Sequence, residues 1–390
     1  MSMRADPRFL AELQAYGAAN IEACFNCGNC SAVCPLSSEG DSFPRRMIRY
    51  AQIGMKDDLL SSKELWLCYY CGECTKTCPR QADPGEFMAA ARRYAIARYD
   101  RLGLARLLYT SPILSALFLA VLAVMIGLVV YSFHGPMPES TLRLFEFIPA
   151  DVVHNLGVIA GIVIGILAFW GLANMVMQVG KEIGPIRGIR YNWLGAAWEA
   201  FGLEALGQRR YRQDCETYSE KQLWYIQRWF IHASILWGFL GLLLATALNF
   251  LLALLGIKAT GTWVPIWYPI RLLGTIAGVL MVYGVTVAII KRLRKTDEGS
   301  AHSTPSDWSF LILLWLVGMT GFALEVAVYL PQPYAWSYWM LIAHMAIASE
   351  LLLLLPFSKF AHAVYRTAAL YLHALKPLPE AEPAGAGAAE

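Results

Sequence analysis

The pattern of polar and apolar positions changes once along this chain, near Pro112. The first hundred residues read as a polar, helical, soluble module. From Pro112 onward, long apolar runs alternate with short basic segments. A bilayer core takes about 20 apolar residues as helix, and six runs meet that length: 112–132, 152–177, 230–252, 270–290, 308–330 and 337–362. The last is long enough to project past the membrane on one side. Between the second and third runs, "YNWLGAAWEAFGLEAL" predicts a helix lying at the membrane interface. The tail "PEAEPAGAGAAE" reads as disordered. The pattern therefore predicts an all-α chain with three parts: a helical module over 1–100, a six-helix membrane domain over 101–375, and a disordered tail over 376–390.

Composition supports that division. Hydrophobic residues make up 57% and charged residues 16%, against about 25% charged in an ordinary soluble domain. The charges also have a side. Fifteen Lys and Arg fall in the segments after the second and fourth runs and from Lys359 at the end of the sixth onward, and only Arg143 and Lys258 in the opposite loops. The positive-inside rule then puts both termini in the cytoplasm and the chain in the inner membrane, in contact with lipid. The N-terminus carries Arg4, Asp6, Arg8 and Glu12 and no long apolar core, so it does not read as a signal peptide. No basic stripe suggests nucleic acid.

Within the polar module one motif occurs twice: "CFNCGNCSAVCP" from Cys24 and "CYYCGECTKTCP" from Cys68. In reduced cytoplasm such cysteines read as metal ligands rather than disulfides. Zinc usually takes two close cysteines and a distant pair, which fits two identical four-cysteine combs poorly. Three cysteines at two-residue gaps suit one corner of a [4Fe–4S] cubane. In two-cluster ferredoxins the fourth, before proline, ligates the other cluster. By that rule Cys24, Cys27, Cys30 and Cys78 hold one cluster, and Cys68, Cys71, Cys74 and Cys34 the second. Gly28 and Gly72 are expected to let the backbone pass close to an inorganic sulfide. Cys215 has no partner motif. The 33 residues between the combs are too many for a β-type ferredoxin hairpin. "FPRRMIRYAQIGM" and "SSKELWL" have helical character, and Asp83 with Pro84 reads as the start of a helix, so the module is expected to be an α-helical ferredoxin.

Histidines in the apolar runs are the second candidate site, because ionisable residues there are costly and usually functional. His344 and His362 share the last run, eighteen residues apart. On one helix that is five whole turns, so both would face the same way about 27 Å apart, which suits two stacked haems. His232, at the start of the third run, is the expected partner of His362 on the cytoplasmic side. His154 is the expected partner of His344 on the outer side, ahead of His134. The plainer alternative is that such histidines hydrogen-bond between helices. His302 and His373 read as surface residues.

These motifs carry a resemblance. The first hundred residues resemble the C subunit of heterodisulfide reductase. "FIHASILWGFLGLL", "SDWSFLILLWLVGMTGFAL" and "AHMAIASELLLLLPFSKFAHAVY" resemble the γ subunit of respiratory nitrate reductase, a dihaem cytochrome b. Their fusion resembles the membrane subunit of quinone-interacting membrane-bound oxidoreductases. The resemblance implies His232, His344 and His362 as haem b ligands, and departs at Leu242, where that pattern has a further histidine. It implies a quinone site near Arg271, with Glu325 and Glu350 as proton carriers or plain interhelical contacts. The run 112–132 has no counterpart in the nitrate reductase γ chain and is expected to tether the ferredoxin. The function so implied is electron transfer within a quinone-dependent oxidoreductase complex. Menaquinone or another quinone would be linked through two b haems and two [4Fe–4S] clusters to a cytoplasmic flavin/iron–sulfur partner. That partner would be of the heterodisulfide reductase A-subunit type, serving adenylylsulfate reduction. A heterodisulfide reductase-type complex with another acceptor and a redox-sensing membrane protein are the alternatives. No G-x-x-x-x-G-K-[ST] or G-x-G-x-x-G motif is present.

Overall fold

The computed structural model describes residues 5–39, 42–139, 142–183, 191–213, 223–259, 262–296 and 302–377. Cys215 and most of the expected tail lie outside them. Among the described residues the chain is helical throughout, with a single isolated bridge between Tyr191 and Pro377.

Eight helices build the N-terminal module: α1 (Phe9–Gln14), α2 (Asn29–Ala32), α3 (Arg45–Gln52), α4 (Lys56–Ser61), α5 (Glu64–Leu67), α6 (Glu73–Lys76), α7 (Pro84–Tyr99) and α8 (Leu104–Thr110). The longest, α7, starts as expected. The Asp83 carboxylate accepts the Glu86 N–H at 3.2 Å, and Pro84 occupies the first turn, where no amide partner is needed. Phe87, Met88, Ala91, Tyr94 and Ala95 then face inward on Phe9, Leu13, Met47, Ile48 and Trp66.

All six expected spans are present as helices long and apolar enough to cross a membrane. They are α9 (Pro112–Tyr131), α11 (Ala150–Ile183), α14 (Arg228–Leu254), α15 (Pro269–Arg294), α16 (Pro305–Ala327) and α17 (Ala335–Leu353); α10 (Leu144–Phe147) is a single turn between the first two. The expected interfacial helix is α12 (Trp193–Ala197), continued by a π-helical stretch over Trp198–Leu206, with α13 (Arg209–Gln213) after it. Its Trp193, Leu194, Trp198 and Phe201 are exposed while Ala196, Ala200 and Glu204 are buried, one apolar face outward and a narrow face against the protein.

The last span differs from its expectation. The run 337–362 is not one helix: α17 stops at Leu353 and α18 (Ala361–Ala374) starts anew. Pro356 lies in the break. It has no N–H to give and its ring clashes with the preceding turn. His344 and His362 therefore sit on different helices, and the five-turn argument that aligned them does not apply.

α14 and α15 approach closely. A Cβ on Gly238 would lie 2.5 Å from Met281 N and 2.7 Å from Ala277 O, so only glycine allows this backbone contact. The bundle has a near end, where the ferredoxin packs, and a far end. Trp66, Tyr99 and Tyr365 of α18 meet edge to face at 5.4 and 5.5 Å, each contact contributing about 0.5–1.5 kcal/mol beyond its area. The Asn174 side chain donates to Tyr99 O at 3.0 Å. Met175, Val179 and Ala369 join the ferredoxin core. The two modules thus share one apolar core.

Candidate functional site

Each cysteine comb folds the same way. Asn26 and Tyr70, two residues after the first cysteine, have φ of 60° and 57°, and Gly28 and Gly72 have φ of 91° and 90°. Each glycine starts a one-turn helix, α2 or α6, that carries the third cysteine. The positive φ requires the glycine. A Cβ on Gly28 would also face the Arg45 guanidinium at 3.2 Å.

The thiols group across the combs. Cys34 lines one cavity of about 40 Å³ with Cys68, Cys71 and Cys74, closed by Leu36, Phe43 and Met88. Burial pushes the Cys34 thiol up to about 12, with Cys68 and Cys71 adding to the rise. Burial also raises Cys30, and the thiols that add to it are Cys24, Cys27 and Cys78. Backbone N–H groups of Asn26, Tyr70 and Ala82 donate to the sulfurs of Cys24, Cys68 and Cys78 at 3.5, 3.4 and 3.4 Å, contacts that favour thiolates. Among the described residues no three His, Cys, Asp or Glu side chains converge on a position for one metal ion. The second set of cysteines borders a cavity instead.

His232, in the second turn of α14, faces His362, in the first turn of α18, with ring centroids 6.3 Å apart. Two metal–imidazole bonds of about 2.0 Å in line would put the centroids about 6 Å apart. The His362 Nδ1–H donates to Lys359 O at 2.5 Å, which leaves Nε2 free as a ligand atom. Burial, with the charges of Lys359, Arg366 and Arg92, pushes His362 down to about 4, so it is neutral at neutral pH. Two facing imidazoles are a donor set that would fit a haem iron.

Both histidines line a cavity of about 300 Å³, and so do Tyr69 and Tyr70. The same two tyrosines line the four-cysteine cavity. The CYYC loop is therefore a wall shared by the imidazole pair and the second set of thiols. It is held from both modules. The Arg366 guanidinium stacks 3.9 Å over the Tyr69 ring, and the Tyr69 hydroxyl donates to Glu204 at 3.1 Å. Arg228 donates to Tyr70 O at 3.0 Å, and the Tyr70 hydroxyl to Glu86 at 2.8 Å. Burial and Glu86 raise the Tyr70 phenol far above its ordinary value, so it stays protonated. His302, read from sequence as a plain surface residue, pairs with Asp83 at 2.7 Å and borders this cavity. Sequence reasoning passed over these arginines and tyrosines. The CYYC insert, where the first comb has Phe-Asn, was the available signal.

The far end assembles differently. His344 Nδ1 lies 2.9 Å from Thr320 Oγ1 on α16. His154 packs edge-on against Phe250 of α14 at 5.0 Å, and His134 stacks on Tyr131 at 4.2 Å. In the expected His154–His344 pair, the His154 ring thus has Phe250 as its neighbour and the His344 ring has Thr320. Arg271 and Glu325 do meet: Arg271 Nε donates to Glu325 Oε1 at 2.9 Å, and its guanidinium lies 5.0 Å over Tyr329. Glu350 is apart from them. It is buried near the C-terminus of α17, whose N-terminus is on the Glu325 side, so about 20 Å of helix intervenes.

Comparison with known proteins gives the two halves separate relatives. Residues 20–82 match the model of the 4Fe-4S dicluster domain, and residues 104–383 match that of Citrate utilization protein B. Citrate utilization protein B of Escherichia coli is 30% identical over 106 residues, 27% of this chain and 27% of its own length. The C subunit of the H(2):CoB-CoM heterodisulfide,ferredoxin reductase of Methanothermobacter thermautotrophicus is 36% identical over 62 residues, 16% of this chain and 34% of its own length. The iron-sulfur C subunit of the CoB--CoM heterodisulfide reductase of Methanopyrus kandleri is 33% identical over 48 residues, 12% of this chain and 25% of its own length. The chain thus spans about a quarter to a third of the curated relatives it matches. No solved structure matches. The ferredoxin relatives confirm the resemblance to the heterodisulfide reductase C subunit, and the iron–sulfur module indicates electron transfer. The membrane half, read from its residues as similar to the nitrate reductase γ chain, falls within the Citrate utilization protein B model. The chain belongs to the Citrate utilization protein B family, with a ferredoxin like that of the heterodisulfide reductase C subunit joined to six helices long and apolar enough to cross a membrane.

Proposed function

We propose that this chain is a membrane electron-transfer protein joining a b-type haem to two [4Fe–4S] clusters on the cytoplasmic side of the inner membrane, as one member of a larger complex. The observation that carries this reading is the Tyr69–Tyr70 wall common to the imidazole cavity and the four-cysteine cavity. When bound, the haem and the clusters supply one-electron chemistry. His232 and His362 would hold the haem. Cys34, Cys68, Cys71 and Cys74 hold the nearer cluster, and Cys24, Cys27, Cys30 and Cys78 the other. Buried Tyr69 and half-buried Tyr70 exclude water between the two cavities and fix their separation.

The soluble partner meets the other comb. Phe25 and Asn26 occupy the positions of Tyr69 and Tyr70. Phe25 is 60% exposed, Cys27 is exposed, and Arg80 lies 6.0 Å over the Phe25 ring. By the repeat, one port of the ferredoxin faces the membrane and the equivalent port faces solvent. The partner is a flavin/iron–sulfur protein of the heterodisulfide reductase A-subunit type, serving adenylylsulfate reduction. Family membership favours a second reading of the acceptor, an oxidoreductase of citrate utilization. Purification of the intact complex, with identification of what elutes with it, decides between them.

The quinone reading is tied to a second haem. Arg271 lies in the first turn of α15, about 30 Å along that helix from the near end. Electrons exchanged with a quinone there need a redox centre in between, and His344 and His154 are imidazoles on that side of the bundle. Two haems per chain support a quinone site at Arg271 and Glu325. One haem per chain makes Arg271–Glu325 a structural ion pair and puts quinone exchange elsewhere.

A further inference from the structure

The imidazole cavity is strongly cationic. Arg92, Arg93, Arg228, Lys291, Arg292, Lys359 and Arg366 line it, against the carboxylates of Glu86 and Asp307. Most of this charge is already engaged. Arg93 pairs with Glu86 and donates to Tyr16 O at 2.7 Å. Arg228 donates to Tyr70 O. Arg292 donates to Ser303 at 2.8 Å, and Lys359 pairs with Asp307 at 2.5 Å. Arg366 stacks on Tyr69, and Lys291 is engaged as well. Both carboxylates are held by these cations. Arg92 differs: its Nε and Nη2 are buried and have no hydrogen-bond partner among the described residues.

Two buried guanidinium nitrogens without a hydrogen-bond partner are a costly arrangement, and native structures rarely keep them unless something else completes them. Burial lowers the Arg92 pKa, and Cys68 and Tyr70 oppose that shift. It lines the same cavity as His232 and His362. What would complete it must be anionic, must enter this cavity, and must fit a planar fork of N–H donors, which describes a carboxylate. We infer that Arg92 anchors a propionate carboxylate of the haem held by His232 and His362. This inference rests on the haem reading above.

The position of Arg92 gives the inference its consequence. It lies on α7 of the ferredoxin, whereas His232 and His362 lie on α14 and α18. The haem site is then completed by the ferredoxin, its propionate edge faces the CYYC wall, and a single side chain couples haem retention to the docking of the two modules. A cation held against the propionate also favours the reduced haem, so it raises the midpoint potential.

The test uses the full-length chain purified in detergent with its cofactors. Haem transfer to apomyoglobin, the optical midpoint potential and non-haem iron are measured for wild type, Arg92→Gln and Arg92→Lys. Arg92→Gln should release haem about ten-fold faster, the loss of one charge-assisted hydrogen-bonded pair, and should lower the midpoint potential while iron content stays at the wild-type level. Arg92→Lys should recover potential more than retention, because an ammonium keeps the charge but not the fork. With haem dimethyl ester in place of haem, wild type and Arg92→Gln should become alike. Unchanged haem release and potential in Arg92→Gln would overturn the inference. So would a loss of cluster iron together with haem, which would make Arg92 a support of the ferredoxin fold. A wild-type protein without b haem would instead sink the haem reading itself.

Discussion

Cys34 and Cys78 show how much a single residue's partners decide. Spacing alone marks all eight comb cysteines as ligands, and the crossed assignment follows from a general ferredoxin rule. The side chains group the same way, with Cys34 beside Cys68, Cys71 and Cys74. Cys34→Ala should therefore remove the cluster of the second comb, and Cys78→Ala that of the first. Each variant should lose about half the non-haem iron, and EPR of the reduced protein should show different signals surviving in the two. Loss of the cluster of the mutated comb's own set in both variants would reverse the assignment.

Lys56 supplies a second residue-scale prediction, independent of the cofactors. It pairs with Asp6 at 3.0 Å and Glu12 at 2.9 Å, tying α4 to α1 and the chain before it. The Lys56 hydrogen bond holds Asp6 below the usual carboxylate range. Burial opposes ionisation of Glu12, but Lys56 and Tyr94 together hold it down. Burial likewise opposes the Lys56 charge, and its bonds to Glu12 and Asp6 outweigh that and raise it. The depressed carboxylates stabilise the fold above their ordinary values, and that contribution disappears as pH falls through their folded values. The raised lysine contributes below its ordinary value, and that is lost as pH rises through the folded one. Lys56→Met should lower the unfolding temperature across the neutral range and flatten the acid side of the stability–pH curve. A curve parallel to wild type would refute this.

What the sequence could not show at this scale is Arg92. Thirty-two Lys and Arg look alike along the chain, and only the packing shows which of those around the imidazole pair is left without a partner. The neighbours of His154 and His344 were hidden for a related reason: depth in a membrane can be estimated from sequence, but the rotation of each helix about its axis cannot.

Among the elements, the six spans were legible because a run of apolar residues long enough to cross a bilayer has few other uses. The error came where hydropathy is blind. Pro356 sits within an apolar stretch, so 337–362 reads as one unit by composition, while the missing N–H ends α17 at Leu353. His362 is still paired with His232, because the turn after Pro356 brings α18 back across the near end. The α14–α15 contact was likewise invisible, since it depends on which face each glycine occupies. Gly238→Leu should separate these helices, at about 1–3 kcal/mol for the overpacking. Its haem content should fall and its thermal unfolding should come earlier, with ferredoxin iron retained. Unchanged haem and unfolding would show that the close approach does not position His232.

At the scale of the molecule, the division into a helical ferredoxin and a membrane domain was readable from one change of pattern near Pro112. That the two share a core was not, because Trp66, Tyr99 and Tyr365 are far apart in sequence. The shared core makes the ferredoxin a fixed part of the membrane protein, with its CYYC port inward and its CFNC port outward. Phe25→Asp should slow electron transfer to the co-purified soluble partner at least several-fold by placing a charge in an apolar contact. Electron exchange between haem and clusters inside the chain should be unaffected, as stopped-flow traces at the haem and cluster wavelengths would show. Equal slowing of both would place the partner elsewhere.

The central claim is that His232 and His362 hold a haem against the iron–sulfur module. The reduced-minus-oxidised optical spectrum of the purified full-length chain tests it most directly, recorded for wild type, His232→Ala and His362→Ala. The account predicts b-type haem bands in the wild type and loss of the same component in each variant, with non-haem iron retained. A wild-type spectrum without b-type bands, or bands that survive both substitutions, would contradict it.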